Sequence, residues 1–134
     1  MSIEIKKCAV LGAGVMGAQI AGHLSNAGIP SLLFDINEEL AKKGVDALTS
    51  LKPAPLFSKK NVSLITACTY DNDLEKLNDC DLIIEAVAEK IEIKHDVYKK
   101  LLSRIYYLEP APQISDFQLD LTPDTLIYLS LIHI

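Results

Sequence analysis

Three glycines near the amino terminus restrict what this chain can fold into more than any other feature. Gly12, Gly14 and Gly17 form a GxGxxG motif that directly follows the predicted strand Ile5–Leu11, which contains the apolar run Cys8–Leu11. After the motif, apolar residues recur at helical spacing until Gly28, a typical helix stop. These apolar residues are Met16, Ile20, Leu24 and Ala27. The motif therefore joins a buried strand to a helix.

Each glycine of the motif has a mechanical role at such a junction. Gly12 permits the tight turn, Gly14 lets a diphosphate approach the backbone, and Gly17 lets the helix pack closely on the sheet. The unpaired N–H groups at the helix start, with a dipole equivalent to roughly +0.5 charge, attract an anion. The motif thus predicts a diphosphate site that needs no charged side chain.

An acid at the end of the next strand makes this interpretation more specific. Asp35 ends the apolar run Ser31–Phe34, 18 residues after Gly17. A carboxylate about 20 residues after the motif accepts hydrogen bonds from an adenosine ribose. No arginine follows Asp35 to receive a 2′-phosphate, so NAD is favoured over NADP. The alternative is that the glycines form only a tight turn and that Asp35 is a solvated strand end.

Further strand and helix signals alternate along the chain. Strands are predicted at Ser63–Cys68 and Asp81–Val87, and a short helix at Asp71–Asn78. Asn37 can cap a second helix, whose apolar face would comprise Leu40, Ala47, Leu48 and Leu51. A last helix would present Ile91, His95, Tyr98 and Leu102 on one face. The alternation predicts an α/β fold with a Rossmann-type, doubly wound parallel sheet, incomplete at its carboxyl-terminal side.

The segment after the fourth strand is expected to face the glycine loop across the crevice. With a strand order of 3-2-1-4, the residues Val87, Ala88, Glu89 and Lys90 follow the strand beside the first one. Glu89 is placed to contact a ribose hydroxyl, although it can equally be a first-turn helix carboxylate favoured by the dipole. From spacing alone, Lys94 is a solvated helix lysine.

Two stretches of the chain resemble the NAD-binding domain of 3-hydroxyacyl-CoA dehydrogenases, especially the multifunctional fatty-acid oxidation proteins. They are CAVLGAGVMGAQIAGHLSNAGIPSLLFDIN (Cys8–Asn37) and DNDLEKLNDCDLIIEAVAEKIEIKHDVYKKL (Asp71–Leu101). The most discriminating part is IEAV-x-E followed five residues later by lysine. The resemblance implies NAD contacts from Met16, Asp35, Val87 to Glu89, and Lys94. The predicted NAD site as a whole comprises Gly12, Gly14, Val15, Met16, Gly17, Asp35, Val87, Ala88, Glu89 and Lys94.

The resemblance also implies a reaction that these residues do not complete. In the family a histidine takes the proton of the 3-hydroxyl of an acyl-CoA while hydride passes to NAD, and a helical domain closes the site. The NTSS-like segment, the histidine in HFFNP-like surroundings and that domain are absent from the 134 residues. His23 and His95 are predicted to be surface or packing residues, and neither His133 nor Ser115 nor Ser130 matches a family motif. No catalytic residue and no metal ligand is therefore predicted.

The last 30 residues differ in character from the rest. Residues 1–104 are predicted to form the NAD-binding domain, while residues 105–134 contain four acids, three prolines and neither lysine nor arginine. Within this tail, Pro123–Tyr128 can supply a displaced fifth strand. The closing Leu129–Ile134 resembles a translated adapter sequence, so the tail is either that strand or an artefact of a truncated frame.

Composition narrows the class of protein. The balance of 13 basic and 18 acidic residues gives a net charge of −5, without the basic excess of a nucleic-acid-binding protein. The sequence contains no 18-residue apolar run, so no membrane span is predicted. The charged start Met1–Lys7 does not resemble a signal peptide. Cys8, Cys68 and Cys80 lack CxxC spacing, which predicts reduced thiols in a cytoplasmic protein.

Two functions remain open at this point. The first is the NAD-binding portion of a 3-hydroxyacyl-CoA dehydrogenase, which binds acyl-CoA only within a longer protein and is not catalytically competent alone. The alternative is a stand-alone dinucleotide-binding or redox-sensing module without catalysis.

Overall fold

A parallel sheet of five strands organises the chain. The computed structural model describes residues 4–87, 92–93, 95–97, 99–100 and 126–128. The strands are β1 (Cys8–Leu11), β2 (Ser31–Asp35), β3 (Ile65–Thr69), β4 (Leu82–Glu85) and β5 (Leu126–Tyr128). They lie in the order β3-β2-β1-β4-β5, and every pairing is parallel. This order confirms the predicted Rossmann-type α/β fold.

Helices fill the crossovers between the strands. Helix α1 (Val15–Asn26) follows β1 and helix α2 (Glu38–Ala47) follows β2. Two 3-10 helices, Lys59–Leu64 and Leu74–Asp79, flank β3. Residues 92–93, 95–97 and 99–100 are helical as well.

The predicted helix ends are confirmed in their capping chemistry. The Asn37 side chain accepts a hydrogen bond from the Leu40 amide at 2.9 Å, which satisfies one of the unpaired donors at the start of α2. At the end of α1, Gly28 has a φ of 77° and the Ile29 amide reaches back to the Leu24 carbonyl at 3.0 Å. Such a left-handed glycine is a common way to end a helix.

The predicted first helix is confirmed, and its buried face is made of small residues. Met16 is 49% exposed, and the residues that face the protein interior are small ones. They are Gly17, Ala18, Ala21, Gly22 and Ser25. Small residues at these positions let the helix lie close to the sheet. Ile20 and Leu24 pack at its flank, half-buried.

The predicted face of α2 needs a correction. Leu40 is exposed, whereas Ala41 and Gly44 are buried within the helix and Leu48 is buried just after it. In the last helical segment His95 is exposed and Val97 is buried. The prediction's other members there, Ile91, Tyr98 and Leu102, lie outside the described residues.

Two apolar clusters cover the two faces of the sheet. Successive residues of β1 and β2 alternate between them, with Leu11 and Phe34 in one cluster and Val10 and Leu33 in the other. A parallel strand covered on both faces has this continuous apolar sequence. Because both faces are covered, ligands can reach the sheet only at its ends, and the carboxyl ends of the strands carry the glycine loop.

An orphaned hydroxyl in the first cluster allows a stability prediction. Tyr70 stacks on Phe34 with ring centroids 5.7 Å apart, and its buried hydroxyl has no hydrogen-bond partner among the described residues. Removing an unsatisfied buried polar group while keeping the ring should stabilise the fold. We expect Tyr70→Phe to raise the free energy of unfolding by about 1 kcal/mol in urea titrations. Tyr70→Leu, which also loses the ring stacking, serves as the control and should lower it; a loss of stability in Tyr70→Phe would contradict the prediction.

Candidate functional site

The glycine loop begins where β1 meets β4. Gly12 has a φ of 105°, a conformation that strongly favours glycine, and its amide donates to the Phe34 carbonyl at 2.8 Å. A Cβ on Gly12 would lie 2.7 Å from the Ala86 carbonyl oxygen. The Ala86 amide in turn donates to the Leu11 carbonyl at 2.8 Å. The first glycine is therefore fixed between the ends of the neighbouring strands.

Gly14 lies at the exposed start of α1. It occupies the N-cap position with extended backbone, and no side chain caps the helix there. Among the residues that the structure describes, a Cβ added at Gly14 would meet nothing within 4 Å. These residues therefore leave the start of α1 uncovered at Gly14, and the start of a helix is where a diphosphate would bind. Val15 and Met16, the next two residues, are also exposed, with 72% and 49% of their surface accessible.

Gly17 packs the helix against the loop. A Cβ at this position would lie only 1.7 Å from the Gly12 carbonyl oxygen and 3.5 Å from the Ala86 side chain. The geometry agrees with the packing role that the motif predicts for its third glycine.

Asp35 connects the end of β2 to the glycine loop. Its Oδ2 accepts a hydrogen bond from the Ala13 amide at 2.8 Å, and its Oδ1 accepts one from the Ile36 amide at 2.7 Å. A carboxylate offers about four acceptor positions, so two remain for other donors such as ribose hydroxyls. The side chain is half-buried and so is held in place while still reachable.

The end of β4 lies directly beside the loop. Leu11 pairs with Glu85 in the parallel register, so the residues that follow each strand are neighbours. Glu85 is buried, and its Oε1 accepts a hydrogen bond from the Val87 amide at 2.7 Å. Val87 lies next to the glycine loop, since a Cβ on Gly12 would lie 3.0 Å from the Val87 Cα, and its contact with NAD stays a prediction. The predicted contacts Ala88, Glu89 and Lys94 lie outside the described residues.

Four residues of this region were missed in the sequence. Ala13 and Ala86 act through backbone groups, which the residue type does not reveal. Ile36 is 60% exposed directly after Asp35, and its position beside the acid could have identified it. Gly44 contacts the loop from the middle of α2, and an isolated glycine inside a helical stretch is a sign of close packing.

Among the described residues, His23 lies away from the loop and the three cysteines are buried. His23 is exposed in the last turn of α1, at the end opposite to Gly14. All three cysteines are free and buried. Burial raises the pKa of the Cys8 thiol, and it raises the pKa of Cys68 and of Cys80 to about 11. Such protonated thiols are poor nucleophiles and poor metal ligands.

The described residues contain neither a metal-binding cluster nor a helix that could span a membrane. No cluster of three or more metal-binding side chains occurs within this part of the chain. Nor does any helix in the described segments have the length and apolar character required to cross a bilayer.

Comparison with known proteins agrees with the site geometry. Residues 7–106 match the family described as 3-hydroxyacyl-CoA dehydrogenase, NAD binding domain. A protein of Deinococcus radiodurans named "Probable 3-hydroxyacyl-CoA dehydrogenase" is 44% identical over 106 residues, covering 74% of this chain and 31% of that protein. The peroxisomal fatty acid beta-oxidation multifunctional protein AIM1 of Arabidopsis thaliana is 32% identical over 102 residues, covering 72% and 14% respectively.

A solved structure is similar over the same part of the chain. The crystal structure of 3-hydroxybutyryl-CoA dehydrogenase from Escherichia coli superposes with a TM-score of 0.60 at 26% identity, covering 75% of this chain and 22% of that one. The chain thus spans less than a third of the length of the two curated relatives. These similarities do not favour the alternative of a non-catalytic sensing module.

Proposed function

Because the chain belongs to the 3-hydroxyacyl-CoA dehydrogenase family through its NAD-binding domain, we propose that it supplies the NAD-binding portion of such an enzyme. The whole enzyme would oxidise 3-hydroxyacyl-CoA to 3-oxoacyl-CoA in fatty-acid β-oxidation. The observation that carries the proposal is the exposed Gly14 at the start of α1, where no atom of the described residues lies near its Cβ position, with the Asp35 carboxylate held by the adjacent Ala13 amide.

The residues present fit the parts of the cofactor. The amides of the first turn of α1 would bind the diphosphate, since the residue at the N-cap, Gly14, makes no side-chain cap. The free acceptor positions of Asp35 would take hydrogen bonds from the adenosine ribose, and Ile36 offers apolar surface for the adenine. A 2′-phosphate would meet the negative charge of Asp35 without a neighbouring arginine, so NAD rather than NADP fits this site. Glu89 and Lys94 are proposed as further contacts.

The chemistry is divided between these residues and others. NAD, when bound, supplies the hydride acceptor. The residues of this chain would bind it and orient it, while His23 lies in the last turn of α1, at the end opposite to the loop. We propose that the 134 residues bind NAD without oxidising 3-hydroxyacyl-CoA, because the sequence has no segment that resembles the surroundings of the family's catalytic histidine, the general base for the hydroxyl proton. The acyl-CoA substrate would bind only within a longer protein.

Two measurements test this proposal. Isothermal titration should give saturable NAD binding, and NAD should raise the melting temperature because it binds only the folded state. A spectrophotometric assay with acetoacetyl-CoA and NADH should give no turnover. Absence of NAD binding would refute the function, and appreciable turnover would show that a catalytic base is present among these residues.

Replacing the acid of β2 tests its role in the cofactor site. We expect Asp35→Asn to weaken NAD binding about tenfold, because a hydrogen bond to a charged group is worth about 1.5–3 kcal/mol. NADP binding should weaken less, since the variant no longer repels a 2′-phosphate. Titration of both nucleotides measures this, with Asp46→Asn, an exposed acid of α2, as the control. Equal loss for both nucleotides would mean that Asp35 does not select the ribose.

The domain and compartment assignments also remain proposals. We place the NAD-binding domain at residues 1–104 and treat 105–134 as a separate tail. Leu126–Tyr128 pairs with β4 in parallel, which supports a displaced fifth strand. The three free, buried thiols are compatible with a reducing compartment such as the cytoplasm.

A further inference from the structure

We propose that Gly44 is a positioning residue for NAD: the backbone of α2 supports the glycine loop from behind at this position. The inference rests on the proposed NAD site and adds a residue that does not contact the cofactor. Gly44 is buried in the middle of α2 and has no side chain to offer a ligand. Its effect can only come from what it allows its neighbours to do.

The surroundings of Gly44 leave no room for a side chain. A Cβ there would lie 2.6 Å from the Ala13 carbonyl oxygen and 2.9 Å from the Ala13 Cβ. The Leu33 side chain would be a further 3.3 Å contact. The nearest atom belongs to the backbone of the loop, so it cannot move aside like the end of a flexible side chain. A larger residue at position 44 would have to displace Ala13 or α2.

Ala13 in turn holds the Asp35 carboxylate in place. Its amide donates to Asp35 Oδ2 at 2.8 Å, so the same residue that contacts Gly44 fixes the proposed ribose ligand. Ala13 also connects Gly12 to Gly14. Gly12 is hydrogen-bonded to Phe34 and packed on Ala86, so it has little freedom to follow a displacement.

A displaced Ala13 would be free to move in one direction. Gly14 is exposed and no atom of the described residues lies within 4 Å of its Cβ position, so movement of Ala13 would pass toward Gly14 and the proposed diphosphate site. The hydrogen bond from Ala13 to Asp35 would lengthen at the same time. One methyl group on α2 would therefore disturb the diphosphate and ribose contacts together.

A matched pair of helix variants tests the inference. Gly44→Ala should weaken NAD binding about tenfold, a coupling typical of linked sites. Gly22→Ala is the control, since it adds the same methyl group to a buried helix position where it meets only the ends of the Leu48 and Leu56 side chains, at 3.3 and 3.4 Å. That control should bind NAD within about twofold of the parent chain.

Two readouts separate positioning from a general loss of stability. In Gly44→Ala the ratio of NAD to NADP affinity should fall, and the Ala13 amide proton should move upfield as its hydrogen bond to Asp35 lengthens. A variant that is only less stable would show neither change in its folded fraction. Unaltered NAD affinity and an unaltered Ala13 resonance in folded Gly44→Ala would overturn the inference.

A measurement on the unaltered chain keeps the inference testable even when Gly44→Ala does not fold. Because Gly44 packs directly against Ala13 of the glycine loop, NAD binding to that loop should shift the Gly44 amide resonance and leave that of Gly28, beyond the far end of α1, unchanged. An unmoved Gly44 resonance at NAD saturation would overturn the inference. Failure of the unaltered chain to bind NAD would instead refute the proposed function, so the two failures are distinguishable.

Discussion

Substitution of Gly17 by alanine is expected to lower the free energy of unfolding by about 3 kcal/mol or more. Alanine normally stabilises a helix relative to glycine by about 1 kcal/mol, so the expected sign is opposite to the helix propensity. The reason is the 1.7 Å distance between a Cβ at this position and the Gly12 carbonyl oxygen. Either the glycine loop or α1 must move to relieve this overlap.

Urea unfolding of Gly17→Ala beside Gly22→Ala measures this effect. Both positions are buried in α1, but at Gly22 the added methyl group meets flexible side-chain ends. The control should therefore stay within about 1 kcal/mol of the parent chain. NAD binding should be lost in Gly17→Ala together with stability. Equal stabilities of the two variants would mean that α1 does not lie against the loop as described.

Substitution of Gly14 by valine should have a small effect on stability and a large effect on NAD affinity. Its backbone is extended, with φ of −66° and ψ of −175°, which any residue adopts, and a Cβ would meet no atom of the described part of the chain within 4 Å. We expect a loss of stability below about 1 kcal/mol, the range of N-cap effects. We expect NAD affinity to fall about a hundredfold or more, because the side chain would occupy the space in which charged hydrogen bonds worth about 1.5–3 kcal/mol each would form.

Calorimetric titration with NAD measures the affinity, and urea unfolding measures the stability of the same sample. Gly14→Ser is the graded control, because serine is small and is a favoured N-cap residue. It should bind NAD less tightly than the parent chain and more tightly than Gly14→Val. Parent-like NAD affinity in Gly14→Val would exclude the α1 amides as the diphosphate site.

The comparison of these two glycines shows what the sequence could predict about the site. The motif spacing identified Gly12, Gly14 and Gly17, and the distance to Asp35 identified the acid, because each depends on residue type at a fixed position. The strand order followed from the alternation of apolar runs. The link from Ala13 to Asp35 could not be predicted, since every residue except proline has a backbone amide and only the fold determines which one is near the acid.

The helix faces were the least predictable feature for a related reason. Apolar periodicity gives most weight to large side chains such as Leu40, which is exposed. The contact surfaces of α1 and α2 are instead made of glycine, alanine and serine, whose burial follows from the short distance between helix and sheet. The size and hydrophobicity of the side chains do not reveal the distance between helix and sheet.

The loop from Gly12 to Gly17 contains no side chain that can gain or lose a proton. Its hold on a diphosphate would therefore come from fixed dipoles whose strength does not titrate with acidity. A site built on lysine or histidine can be switched by a change of pH or by chemical modification of that side chain. In this loop, diphosphate binding could be controlled in a comparable way only by a movement of the backbone.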